Sequence, residues 1–150
     1  MTQFQFRFET LLKIHESTRD AAAAEVGQAN EAIAKIEMQI NELETQRQQS
    51  RSAASDAASG TNPSPDQLLT LGRYGLQLQA EHTALVQTLT QLQTERDRRQ
   101  SRLADCETEV KRLERLREVK QDQFHADQLR RDQAIIDDQA ASRHQRRNMV

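Results

Sequence analysis

Apolar positions in this chain recur at alternating steps of four and three residues over two long stretches. The first series runs from Phe8 through Leu12, His15, Arg19 and Ala22 to Ala57, and it is apolar at every stop from Ala22 to Leu43. The second runs from Leu71 through Leu78, His82, Leu85, Leu89 and Leu92, then through Arg96, Arg99, Leu103, Cys106, Val110, Leu113, Arg117 and Lys120 to Phe124. A mean spacing of 3.5 residues keeps one narrow stripe on one side of a helix, which is the signal of a left-handed coiled coil. The pattern predicts two helices, over about 4–58 and about 66–145.

The stretch between them, "SGTNPSPDQLL", holds both prolines of the chain and one of its four glycines. Gly60 suits the left-handed position that follows a helix end. Asn62 precedes a proline, which turns it away from helical geometry. Ser64, Pro65 and Gln67 match a helix start, with a serine cap, proline at the first helical position and glutamine reaching back. The break therefore predicts a hairpin loop over about 59–65 and an antiparallel pair. Folding the chain there pairs positions whose numbers total about 125, so Ile40 faces Leu85, Ile36 faces Leu89 and Ile33 faces Leu92. Ala29 and Val26 fall opposite Arg96 and Arg99, where small residues leave room for arginine stems whose charges stay in water. Leu12 meets Leu113, and Phe8 falls near Arg117.

The expectation is an all-α fold, a single coiled-coil hairpin over residues 1–150 with a C-terminal single-helix overhang. The paired part spans roughly 80 Å and the second helix more than about 100 Å, at about 1.5 Å per residue. About 25 residues beyond position 122 lack a partner, and a lone helix in water is marginal. Each fully buried Leu or Ile contributes roughly 1.5–3 kcal/mol before entropy is subtracted, so a two-helix seam gives modest stability.

Composition agrees with a narrow seam rather than a sphere. Hydrophobic residues make up 35% of the chain and aromatics 3%, with no tryptophan, against about 45–50% apolar in a typical globular domain. The charge of −2 comes from 21 basic and 23 acidic residues mixed along the chain, so no basic face marks a nucleic-acid binder. Cys106 is the only cysteine. No apolar run reaches the roughly 18 residues that span a bilayer, which argues against direct membrane insertion. The start, "MTQFQFRFE", lacks the order of a signal peptide, and the expected location is the cytoplasm.

Catalytic patterns are missing from the sequence: no phosphate-cradling glycine loop, no His-x-x-x-His or Cys-x-x-Cys pair, and four scattered histidines. His15, His82 and Cys106 read as seam filler rather than as ligands or a nucleophile. A two-helix seam also encloses no dry cavity of the kind that catalysis uses. The reading is a non-enzyme without cofactor or metal. Candidate chemistry is therefore contact chemistry. Phe4, Phe6 and Phe8 supply three of the four phenylalanines, and Leu11, Ile14, Leu116 and Val119 lie off the seam nearby. Either the stripe widens locally under a folded-back N-terminus, or this is a docking surface. Arg130-Arg131 and "RHQRR" at 143–147 are the only cationic concentrations; they read as a solvated helix end or as contacts for an acidic protein surface. The loop carries no Lys or Arg, which disfavours phosphate binding at the tip by a nucleic-acid arm.

These residues resemble a known family. "FRFETLLKIHESTRDAAAAEV" is similar to the N-terminal signature of the flagellar export protein FliJ family at Phe6, Arg7, Phe8, Glu9, Leu11, Leu12, Lys13, Asp20, Ala22 and Glu25. "EVKRLERLREVKQDQF" resembles its basic-leucine stretch through Lys111, Leu113, Glu114 and Leu116, and "IIDDQAASRHQRR" its acidic-then-basic ending at Asp137, Asp138 and Arg143. The resemblance implies a non-enzymatic antiparallel two-helix stalk of the flagellar type III export apparatus. Its implied partners are the hexameric export ATPase, the cytoplasmic domain of the membrane export gate protein, and export chaperones, at the inner membrane of the flagellar base. Carried over residue by residue, the ATPase-ring contact falls on Phe6, Phe8, Leu11, Leu12, Leu113, Leu116, Arg130 and Arg131. The export-gate contact falls on Tyr74 and Leu78, although Leu78 also lies on the seam. An export chaperone, or the equivalent stalk of a virulence-type secretion system, is the alternative.

Overall fold

The computed structural model describes residues 2–149. Two α-helices, α1 (Glu9–Ser59) and α2 (Pro65–Asn148), pack against each other, and no strand occurs among the described residues. By internal packing the chain divides in two: one unit runs from Asp20 to Ala104, and the other joins the residues up to Arg19 with those from Asp105 on.

The Asp20–Ala104 unit holds the loop and the best part of the seam. Ala22, Val26, Ala29, Ile33, Leu43 and Leu78 are all 9% exposed or less, while Ile36, Ile40, Leu85, Leu89 and Leu92 are half-buried. These are the stops that the 4–3 spacing selects. Polar contacts across the pair report the register independently. His82 Nε2 lies 2.8 Å from Glu44 Oε1, and Arg99 Nη1 donates to the Glu25 carbonyl at 2.8 Å. Those two pairs have position numbers totalling 126 and 124, on either side of the expected 125. Thr83, Thr88, Thr90 and Thr94 each donate to the carbonyl four residues back, so this threonine-rich stretch keeps its hydroxyls satisfied while remaining helical.

Two details here differ from expectation. No glycine among the described residues has a positive φ, so Gly60 does not supply a left-handed cap. The helix end is satisfied by a side chain instead: Ser59 Oγ donates to the Ser55 and Asp56 carbonyls at 2.8 and 3.3 Å. The second concerns Arg99. Its head is turned onto the Glu25 backbone rather than into water, and Glu95 holds its Nε at 3.0 Å. The start of α2 has the expected serine cap and first-position proline, with the Gln67 backbone amide as the group that meets the cap. Ser64 Oγ accepts from the Gln67 amide at 3.5 Å and the Ser64 carbonyl from the Leu68 amide at 3.1 Å, with Pro65 at the first helical position.

In the other unit Leu12 and Val110 are the buried core, at 0% and 2% exposure. Arg117 Nη1 lies 3.7 Å from Glu9 Oε1, again at a total of 126. The helix starts at Glu9, not near residue 4 as the sequence reading had it. Before it, residues 2–6 carry no helix, which suits the alternation of Phe4 and Phe6 with polar residues, and Arg7 and Phe8 form a turn closed by the Glu9 amide donating to the Phe6 carbonyl at 3.2 Å. The segment before Glu9 forms a strap along α2. Phe4 packs on Phe124 with ring centroids 5.6 Å apart, and Gln128 Nε2 donates to the Thr2 carbonyl at 3.3 Å. An extended residue advances about 3.3 Å against about 1.5 Å in a helix. The strap therefore reaches from Arg117 to Gln128 with only the residues from Glu9 back to Thr2. As a result the uncovered part of α2 begins at Leu129 rather than near position 123, and every described residue from there on is exposed.

Candidate functional site

The surface built at the strap is apolar beyond what its own packing consumes. On α1, the seam takes Leu12 and leaves Leu11 and Ile14 outside, 42% and 57% exposed. Phe8, at the helix entry, is 37% exposed; its ring meets Phe6 edge-on at 5.9 Å and carries the Arg7 guanidinium 5.6 Å from its centre. The strap is flanked by two open grooves. One, of about 530 Å³, is lined by Phe4, Phe6, Phe8, Lys120, Phe124 and Asp127 among others. Phe4 and Phe6 also border the second, with Glu9, Arg117 and Gln121. Apolar rings edged by both charge signs suit an amphipathic protein segment.

Placement separates the expected contact residues into groups. Phe6, Leu113 and Leu116 are half-buried, and Phe8 and Leu11 are exposed. Leu12, at 0% exposure, is a seam residue that offers a partner nothing, and this corrects its assignment as a contact. Arg130 and Arg131 are both exposed on the uncovered part of α2; Arg130 lies 3.5 Å from Asp127. In the Asp20–Ala104 unit Tyr74 is 43% exposed, whereas Leu78 is 2% exposed. Leu78 is packed, and of the two expected gate contacts only Tyr74 remains accessible.

Sequence reasoning missed Leu69 and Leu76, which are 55% and 69% exposed. They lie seven residues apart and so share one face; that off-seam spacing was the available signal. The widely exposed Leu129, Ile135 and Ile136 were also passed over.

Electrostatics are local. Among the described residues Glu95 is the one carboxylate with a clear shift, held below the usual range first by its hydrogen bond from Arg98 and then by that from Arg99. Among the described residues no His, Cys, Asp and Glu come together in a group that could hold a metal. No helix among them is long and apolar enough to cross a membrane.

A helix pair whose surplus is apolar contact surface belongs to the class of coiled-coil interaction proteins. The chain belongs to the flagellar FliJ protein family, whose model matches residues 4–149, and that family is a component of the flagellar export machinery. No curated protein and no solved structure matches the chain.

Proposed function

We propose that this protein is a stalk of the flagellar type III export apparatus, linking the hexameric export ATPase to the export gate and assisting delivery of chaperone-bound substrates. On this reading it works without catalysis, in the cytoplasm at the inner-membrane base of the flagellum. The observation that carries it is the exposed apolar set Phe8, Leu11 and Ile14 beside the strap. Exposed apolar surface that no intramolecular neighbour covers is what a partner's interface supplies. Phe6, Phe8, Leu11, Leu113 and Leu116, with Arg130 and Arg131 further along α2, form the ATPase contact. Tyr74, with Leu69 and Leu76 nearby in sequence, is the gate contact.

The test is the affinity of the full chain for the purified export ATPase. Alanine at Phe8 and Leu11 together should weaken binding at least about a hundredfold, given that one buried interface anchor is worth about 2 kcal/mol or more. Alanine at Tyr74 should leave that affinity unchanged and weaken capture by the cytoplasmic domain of the gate protein. Undiminished ATPase binding by the Phe8 and Leu11 variant contradicts the assignment. Binding of unfolded cargo in the absence of ATPase would favour a chaperone role instead.

A further inference from the structure

The C-terminal part of α2 carries a second 4–3 stripe, on a different side of the helix from the seam. It runs Asp122, Ala126, Leu129, Gln133, Ile136, Ala140, Arg143, Arg147, and all of these are exposed. Leu129 and Ile136 are 70% and 58% exposed. At about 100° per residue the stripe lies about 130° round from Phe124 and Gln128, where the strap sits. The strap therefore does not cover it.

The stripe's charge order is antisymmetric: an acid at its N-terminal end, an apolar and small-residue middle, and arginines at its C-terminal end. A parallel pairing with an identical stripe sets Asp122 against Asp122 and the arginines against each other. An antiparallel pairing at the offset that coiled-coil layers require reverses this. Asp122 then meets Arg147 of the other copy, Ala126 meets Arg143, Leu129 meets Ala140, and Gln133 meets Ile136. The outer layers are complementary, acid against arginine or large against small, and the central layer sets the Gln133 stem beside Ile136. The Ala126 and Arg143 layer repeats what the chain already does in its own seam, where Arg99 reaches past Val26 to the Glu25 backbone.

We propose that this face of α2 is an interface with a second copy of the same chain, formed by antiparallel pairing of residues 122–147 across a twofold axis. Each copy contributes one leucine and one isoleucine, so the dimer is weak and its end pairs make it salt-sensitive. The proposal is separate from the Phe8 and Leu11 surface, but residues 122–147 include Arg130 and Arg131, so self-pairing and the proposed ATPase contact compete for this part of α2.

Sedimentation equilibrium on the full chain, from micromolar to millimolar concentration at low salt, reads it directly. The native chain should pass from monomer to dimer, and Ile136→Asp should remain monomeric. Asp122→Arg and Arg147→Asp should each weaken self-association about tenfold, because each reversal turns two attractive contacts into two repulsive ones. An equimolar mixture of those two variants should recover the native affinity, since arginine at position 122 of one chain then faces aspartate at position 147 of the other. That recovery also excludes misfolding as the cause of the single losses. A chain that stays monomeric to millimolar concentration overturns the proposal. So does a dimer indifferent to both reversals, or a mixture no tighter than its components.

Discussion

The Asp20–Ala104 unit and the strap-bearing unit are built from the same two helices by the same spacing rule, yet they end in opposite states. In the first, six apolar seam residues are at most 9% exposed, and its exposed large apolar residues are Met38, Val86 and, near the loop, Leu69, Tyr74 and Leu76. In the second, among the described residues, only Leu12 and Val110 are fully enclosed, while Phe8, Leu11, Ile14, Leu129 and Ile136 face solvent. Stability and availability thus separate along one chain. A stripe at 3.5 spacing buries itself against a partner stripe, and apolar residues off that spacing, such as Leu11 and Ile14, are left exposed. The first unit carries most of the buried seam and exposes apolar residues chiefly near the loop; the second exposes more of its apolar residues than it buries.

The comparison breaks most readily at the seam. Leu12→Ala should destabilise its unit by about 2–4 kcal/mol, the cost of a large-to-small change at a fully buried site, whereas Leu11→Ala, one residue away, should stay within about 0.5 kcal/mol. Thermal unfolding followed by circular dichroism distinguishes the two. If both losses were alike, the division between packed and exposed leucines would be wrong. Arg99→Ala should cost about 1 kcal/mol, a typical net hydrogen-bond value, together with weaker pairing near Glu25. Amide exchange around Glu25 would show it.

A smaller effect is expected at the strap. Phe4→Ala should remove the contact with Phe124 and cost about 0.5–1.5 kcal/mol locally, as for an aromatic pair. The ring resonances of Phe124 should shift while helix content is unchanged. The smallest effect concerns pH. Because Arg98 and Arg99 hold the Glu95 carboxyl below its usual range in the folded chain, its contribution is complete above the ordinary carboxylate range. It is lost as pH falls through the lowered folded value. Glu95→Gln should flatten that part of the acid-side stability profile, and an unchanged profile would remove Glu95 from the network.

Most of the fold was legible because a coiled coil writes its packing into spacing. The seam stops and the register near a total of 125 follow from residue order, and His82–Glu44 and Arg99–Glu25 report the same register. What was not legible depended on competition between local solutions. The alternation of Phe4 and Phe6 with polar residues held the non-helical form of residues 2–6, but the turn at Arg7 and Phe8 had no signal beside so long a heptad series. Gly60 looked like a cap until the Ser59 hydroxyl took the final carbonyls. At the candidate surface, Leu11 and Ile14 could be named from being off the seam. Leu12 and Leu78 could not serve two purposes, and packing claimed both. The Leu69 and Leu76 face needed a second stripe to be sought after the first was found.

Hydrogen exchange of the backbone amides, measured at low protein concentration with and without the export ATPase, tests the central contrast most directly. The account predicts slow exchange across Ala22–Leu43 and Leu78–Leu103 in both states. It predicts fast exchange in the strap and beyond Leu129 in the free chain, with the strap and the Leu11 turn becoming protected when the ATPase is added. Uniform protection along the free chain, or protection gained only around the hairpin loop, would contradict it.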